Sequence, residues 1–134
     1  MYKILIADDE QLERKALKQI IQQNMPLLEV VGDARNGDEA LELAHEYSPD
    51  VVLLDIKMPG RTGLEAAREI LCLNPETEII IVTAFDYFEY AQEAIHMGAC
   101  DYLLKPVHPN DLLTVLQKCV KNIEGKNQII SLLS

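Results

Sequence analysis

The 134-residue sequence contains no apolar run approaching the length of a membrane span, and Met1 leads directly into a strand-like segment instead of a signal peptide. It has no low-complexity tract. Positive charge is scarce: 12 Lys and Arg stand against 22 Asp and Glu, a net charge of −10. Gripping a phosphate backbone demands clustered Lys and Arg, so this segment is not expected to contact nucleic acid itself. The three cysteines (Cys72, Cys100, Cys119) are scattered, odd in number and without a Cys-x-x-Cys spacing. Reduced thiols packed as small hydrophobes are the expectation. The histidines (His45, His96, His108) lack metal-ligand spacing and are read as surface or partly packed residues. These absences point to a cytoplasmic, folded domain, long enough at this length to bury a real core.

Four apolar residues, Val51 to Leu54, run without interruption into a carboxylate, Asp55, and the stretch closes with Met58-Pro59-Gly60. A short continuous apolar run closed by turn residues suits a strand buried on both faces, as in parallel sheets. Lys3 to Ala7 is a second such run and ends in Asp8-Asp9-Glu10. Glu29–Ala34, Glu78–Val82 and Asp101–Leu104 read as three more strands, the fourth ending at Thr83 and the fifth at Lys105-Pro106.

Between them the period changes to that of a helix. Leu12, Ala16, Leu17, Ile20 and Ile21 form one apolar stripe, with Glu13, Arg14, Lys15 and Lys18 opposite. Asn36 with Glu39, and Thr62 with Glu65, are helix-start signals. Asp86-Tyr87-Phe88-Glu89 is expected to cap a helix that Gly98 stops, and His108 to Asp111 opens the last one. Strand and helix alternate five times with short connections. That predicts a doubly wound, five-stranded parallel sheet with right-handed crossovers and helices on both faces. After Asn122 the character shifts, Gly125 interrupts, and Gln128–Leu133 reads as a separate amphipathic piece. Residues 1–122 are therefore expected to form the domain and 123–134 a linker toward a missing C-terminal output domain.

In a parallel sheet, Asp8, Asp9, Asp55, Thr83 and Lys105 all end strands at one edge. Gathered carboxylates repel each other, and a hard divalent cation such as Mg²⁺ relieves this. An Asp facing a phosphoryl donor can then be converted to an aspartyl phosphate, chiefly through positioning and charge neutralisation. Lys105 supplies a compact positive charge and Thr83 a hydroxyl donor for phosphoryl oxygens. Singly, each of these residues is more often a turn residue, a helix cap or a surface lysine. Five of them at the ends of four strands are not so explained.

The acidic pair Asp8-Asp9, the VVLLDIKMPG stretch, Val82-Thr83-Ala84 and Asp101-Tyr102-Leu103-Leu104-Lys105-Pro106 together resemble the receiver domain of two-component response regulators, over about residues 2 to 122. The resemblance implies a flavodoxin-like fold with strand order 2-1-3-4-5. It implies Asp55 as acceptor of a phosphoryl group from a sensor histidine kinase. Asp9, Asp55 and the Lys57 backbone carbonyl would bind Mg²⁺, with Asp8 acting through metal-bound water. Thr83 and Lys105 become phosphate contacts, Tyr102 an aromatic switch that turns inward when Thr83 moves, and the Lys105-Pro106 bond cis. Such a protein is a signalling switch that catalyses its own phosphorylation and dephosphorylation, not a conventional enzyme.

The helix after Thr83 cannot bury both Tyr87 and Phe88, which project in different directions. A patch of Tyr87, Phe88, Ala91, Ile95, Tyr102 and Val107 is the expected face for a phosphorylation-dependent homodimer, the fourth-helix, fifth-strand, fifth-helix surface in the resembled family. The phrases around Phe85–Ala91 and Tyr102–Val107 are similar to receivers joined to AraC-type helix-turn-helix domains, which implies transcription regulation through DNA bound by that missing part. Two other classes are weaker. A haloacid dehalogenase-type phosphatase wants a second Asp two residues after the nucleophile, where Lys57 stands, and a flavin-binding module wants Ser, Thr or Gly after the first strand, where Asp8-Asp9-Glu10 stand. Lys57 and Phe85 flank the approach to Asp55 and are expected to influence the lifetime of the phosphate.

Overall fold

The computed structural model describes residues 1–133. Five strands, β1 (Tyr2–Ala7), β2 (Leu28–Ala34), β3 (Val51–Leu54), β4 (Glu78–Thr83) and β5 (Asp101–Leu104), alternate with α1 (Gln11–Asn24), α2 (Gly37–Tyr47), α3 (Gly63–Leu73), α4 (Phe88–Met97) and α5 (Pro109–Leu133). All strand pairs are parallel and the sheet order is β2-β1-β3-β4-β5. This is the doubly wound parallel sheet expected from the alternating pattern, in the flavodoxin-like strand order that the resemblance implies.

The strand period of two divides the sheet's side chains between two cores. Ile4, Ile6, Val51, Leu53, Ile80 and Val82 face α1 and α5, where Leu17, Ile21, Leu112, Leu116 and Cys119 cover them. Leu5, Ala7, Val52, Leu54, Ile79 and Ile81 face the other way, onto Ala40, Ala44, Leu64, Ala67, Ile70 and Ala94 of α2, α3 and α4. Burial on both faces is why β1, β3 and β4 read as unbroken apolar runs. The order in which strands are added switches sides between β1 and β3, and in such sheets sites form beyond the carboxyl ends of the strands at that switch.

Several local signals act as expected. The Asn36 side chain accepts from Glu39 N–H at 2.8 Å, and Thr62 and Glu65 form a reciprocal capping box. Gly98, in the left-handed conformation at φ +87°, ends α4, and the Lys105–Pro106 peptide is cis. Three expectations are corrected. The stripe of α1 is rotated: Leu12 is 80% exposed and Ala16 is exposed, whereas Arg14 is buried beside Leu17 and Ile21. Asp86 does not cap α4; Tyr87 holds that position and gives no side-chain hydrogen bond. Gly125 does not interrupt α5, which runs as one 25-residue helix from Pro109 to Leu133. A single glycine costs only about 1 kcal/mol in a helix interior, which does not break a helix rooted in the core through Val120 and Ile123. Ser134, the last residue of the expected linker, lies outside the described residues.

Candidate functional site

The ends of β1, β3 and β5 bring three charged side chains together. Asp8 follows β1 and Asp55 follows β3, and the two stay in register because Asp55 N–H donates to Ala7 O at 2.9 Å. Lys105 follows β5, its own N–H bonded to Thr83 O at 2.8 Å. From there its ammonium donates to Asp8 Oδ2 at 2.6 Å and to Asp55 Oδ2 at 2.9 Å. Both carboxylates are deeply placed, Asp8 1% and Asp55 6% exposed.

Burial decides the electrostatics. It pushes the Asp8 carboxyl above its ordinary value, and the hydrogen bonds from Lys105 and from Glu10 N–H (2.9 Å) offset this only in part. Burial alone would lower Lys105, but its bonds to Asp8 and Asp55 overcome it and hold the ammonium well above the usual lysine range. The site thus carries a permanent cation between two carboxylates, with negative charge in excess.

Backbone packing fixes the edge. Gly63, the first residue of α3, lies so close to the β3 end that a Cβ there would stand 1.9 Å from the Asp55 carbonyl oxygen. Gly37 plays the same part for α2, where a Cβ would meet Arg61 O at 2.3 Å. Arg14 reaches from α1 to donate to the Asp8 carbonyl at 2.7 Å, and its Nε stands 3.4 Å from Asp33 Oδ2. Neither role was legible: Gly63 reads as part of a helix-start signal, and Arg14 reads as solvent-facing.

The expected residues are distributed as follows. Asp9 is exposed next to Asp8, and carboxylate oxygens of Asp8, Asp9 and Glu10 lie within 4.8 Å of one another. Glu10 was not among the anticipated ligands. Thr83 is fully buried with its Oγ1 accepting from Phe85 N–H at 3.4 Å, so its hydroxyl is not joined to the Lys105 group. Lys57 N–H points at Asp55 Oδ1 (3.4 Å), while its ammonium lies over the rings of Phe85 and Tyr90 at 5.4 and 5.7 Å. Phe85 thus lies against Lys57, and Tyr90 joins it, a partner the sequence reading did not single out. Tyr102 packs among the residues covered by α3 and α4, and its hydroxyl donates to Phe85 O at 2.5 Å. Tyr87, Phe88 and Ile95 are exposed, the last two by more than 70%; Ala91 and Val107 are half-buried, and Ala94 is core. Leu104, at the end of β5, is also exposed and was not anticipated.

The donor set around Asp8 is all oxygen and anionic, which suits a hard divalent cation better than a soft one. Two buried carboxylates sharing a single lysine leave a charge deficit that such an ion would fill. The residues present therefore fit Mg²⁺.

A doubly wound parallel sheet with a lysine-bridged carboxylate pair beyond its strand ends defines a class of α/β domains with an acidic site. Residues 4–117 match the response regulator receiver domain family, and the chain belongs to that family. Receiver domains as a class take Mg²⁺ and partner with sensor histidine kinases. Over 127 residues the chain is 36% identical to the transcriptional regulatory protein YesN of Bacillus subtilis, covering 95% of this chain and 34% of that protein. Among solved structures, the receiver domain of AraT, a response regulator from Geobacillus stearothermophilus, superposes with a TM-score of 0.87 at 40% identity, covering 94% of this chain and 98% of that one. A LuxR-family DNA-binding response regulator from Staphylococcus aureus gives 0.83 at 35% identity, covering 89% and 98%. The chain thus spans about a third of YesN, and about half of other curated relatives. No helix among the described residues is long and apolar enough to cross a membrane.

Proposed function

We propose that Asp55 accepts a phosphoryl group from the phosphohistidine of a sensor kinase, and that residues 1–122 act as the switch. The observation that carries this is the convergence of buried Asp8 and Asp55 on the Lys105 ammonium. An Asp55 oxygen attacks phosphorus, the phosphorus–nitrogen bond breaks, and the imidazole leaves with a proton. No base is needed, since Asp55 is already a carboxylate. Asp8, Asp9, Asp55 and the Lys57 carbonyl are the proposed Mg²⁺ ligands, Asp8 through water. Bound there, the cation would offset carboxylate charge and so favour the approach of a phosphoryl group. Lys105, freed from its shared bonds, meets one phosphoryl oxygen. Thr83 meets another by giving up its Phe85 contact.

That exchange gives the switch its route. Thr83 Oγ1 and the Tyr102 hydroxyl both bond the backbone of Phe85, so drawing Thr83 toward the phosphate disturbs the segment that leads into α4. Tyr87, Phe88, Ala91, Ile95, Tyr102 and Val107 then form the surface for a homodimer. The output is a DNA-binding domain in the longer protein, of the AraC type on the residue likeness above; a LuxR-type module is the competing class. Residues 123–134 connect the two.

Incubation with acetyl phosphate and Mg²⁺, followed by intact mass measurement, tests the chemistry. One added phosphoryl group that requires Mg²⁺ and is missing from Asp55→Asn is the expected result. No addition to the wild-type chain would sink the proposal. Sedimentation with and without a phosphoryl analogue tests the dimer, with Phe88→Ala expected to stay monomeric.

A further inference from the structure

Cys100 and Cys119 lie outside the strand-end site and form a pair that its chemistry does not use. Cys100 is half-buried in the turn before β5, its N–H bonded to Ile79 O at 2.6 Å. Cys119 is fully buried on the sheet-facing stripe of α5. The Cys119 thiol donates to Cys100 Sγ with 3.2 Å between the sulfurs. Asn122, one turn on in α5, places Nδ2 4.0 Å from the same sulfur, and Lys118 is anchored on the Cys100 carbonyl at 3.2 Å.

Two buried thiols can simply be small hydrophobes in contact. That reading does not explain the asymmetry. Asn122 and Lys118 both reach Cys100, the less buried residue of the two, and Cys119 is the donor behind it. The Cys119 hydrogen bond, working against burial, holds the Cys100 thiol below its ordinary value, while the same bond and burial push Cys119 up. A partly exposed cysteine backed by a buried second thiol at contact distance is the arrangement of an attacking and a resolving cysteine.

We propose that Cys100 and Cys119 are a redox-modifiable pair that a hydroperoxide converts to an intramolecular disulfide tying the start of β5 to α5. The Cys100 thiolate attacks one peroxide oxygen, the oxygen–oxygen bond breaks, and the departing hydroxide takes up a proton to leave as water. Cys100 is then a sulfenic acid. The Cys119 sulfur attacks it, the sulfur–oxygen bond breaks, and the hydroxyl leaves as a second water with the Cys119 proton. Two thiols lose two electrons and two protons, and hydrogen peroxide becomes two waters. Cys72, exposed on α3, is not part of the pair.

The test uses the whole chain treated with hydrogen peroxide, free thiols then alkylated, with intact mass and a non-reducing peptide map as readouts. The expected result is loss of two hydrogens, a Cys100–Cys119 linked peptide and full reversal by dithiothreitol, in both wild type and Cys72→Ser. In Cys119→Ala, Cys100 should instead persist as a sulfenic acid that dimedone captures. Cys100 that stays reduced in the wild-type map, or passes to sulfinic acid without the link, would overturn the proposal. So would oxidation confined to Cys72. The wild-type map needs no variant, so a Cys119→Ala chain that fails to fold does not rescue the idea.

Discussion

Lys105 and Asp8, 97 residues apart in sequence, meet at 2.6 Å, closer than the 2.9 Å at which Lys105 stands from Asp55. The lysine therefore ties the end of the edge strand β5 to the end of β1, three strands inward. Replacing it with Met leaves two buried carboxylates without a counter-charge. The expected loss is about 3 kcal/mol of unfolding free energy, from the range found when one partner of a buried pair is removed. Urea unfolding checks it. Because the folded lysine is held above its unfolded value, its contribution is complete below the ordinary lysine range and disappears only as pH rises through the folded value. Neutral and mildly alkaline pH should leave it untouched.

Asp8→Asn should act in the opposite direction in the absence of Mg²⁺. Burial already disfavours the charged form of this carboxyl, and the amide removes that charge together with its repulsion from Asp55. Tm should rise by a few degrees, the size of shift that about 1 kcal/mol produces in a domain of this length. In the wild type the folded Asp8 holds its proton to higher pH than an unfolded Asp. This group therefore costs stability at neutral pH and returns it as the solution is acidified toward the carboxylate range. Asp8→Asn should lack that limb, and should lose Mg²⁺-dependent phosphoryl transfer while gaining stability.

Two glycines should give opposite signs. Gly63→Ala drives a Cβ into the Asp55 carbonyl at 1.9 Å, and backbone cannot step aside as a flexible side chain would. Destabilisation of about 2 to 3 kcal/mol is expected, with loss of acceptor activity because Asp55 itself must shift. Gly125→Ala meets nothing within 4 Å and sits inside α5. It should stabilise by up to about 1 kcal/mol, the helix-propensity difference. Thermal denaturation of the two variants side by side decides both.

The first helix supplies a sharper contrast. Leu12→Ala should change stability by less than about 0.5 kcal/mol, as exposed positions do, whereas Arg14→Ala should cost about 2 kcal/mol by leaving the Asp8 carbonyl without its donor. If the apolar stripe read from the sequence were the buried one, the order would be reversed.

That reversal shows where the sequence was legible and where it was not. The strands announced themselves because residues such as Val51–Leu54 are covered on both sides, which leaves no polar position to confuse the pattern. The site residues stood out because charge at the end of an apolar run is conspicuous. Arg14 did not, since a long side chain can bury its stem and spend its guanidinium on one carbonyl, and no local pattern reports a target six residues back. Gly63 was seen as a helix start, but its second constraint is a contact with Asp55 that only the folded chain creates. Asp86 failed as a cap for a similar reason. The turn after β4 is set by the Phe85 contacts with Thr83 and Tyr102, not by the nearest capping residue.

Helix α5 continues through Gly125 beyond Ile123, its last residue buried against the sheet, for ten residues, Glu124 to Leu133, or about 15 Å at 1.5 Å per residue. It is therefore a lever with its fulcrum inside the core. A tilt of about 10° at the root carries the far end roughly 2 to 3 Å by the same geometry, and twists the exposed Ile129, Ile130, Leu132 and Leu133 with it. A slack tether would dissipate such a motion within a few bonds. A continuous rod delivers both its direction and its phase to whatever is attached at the end.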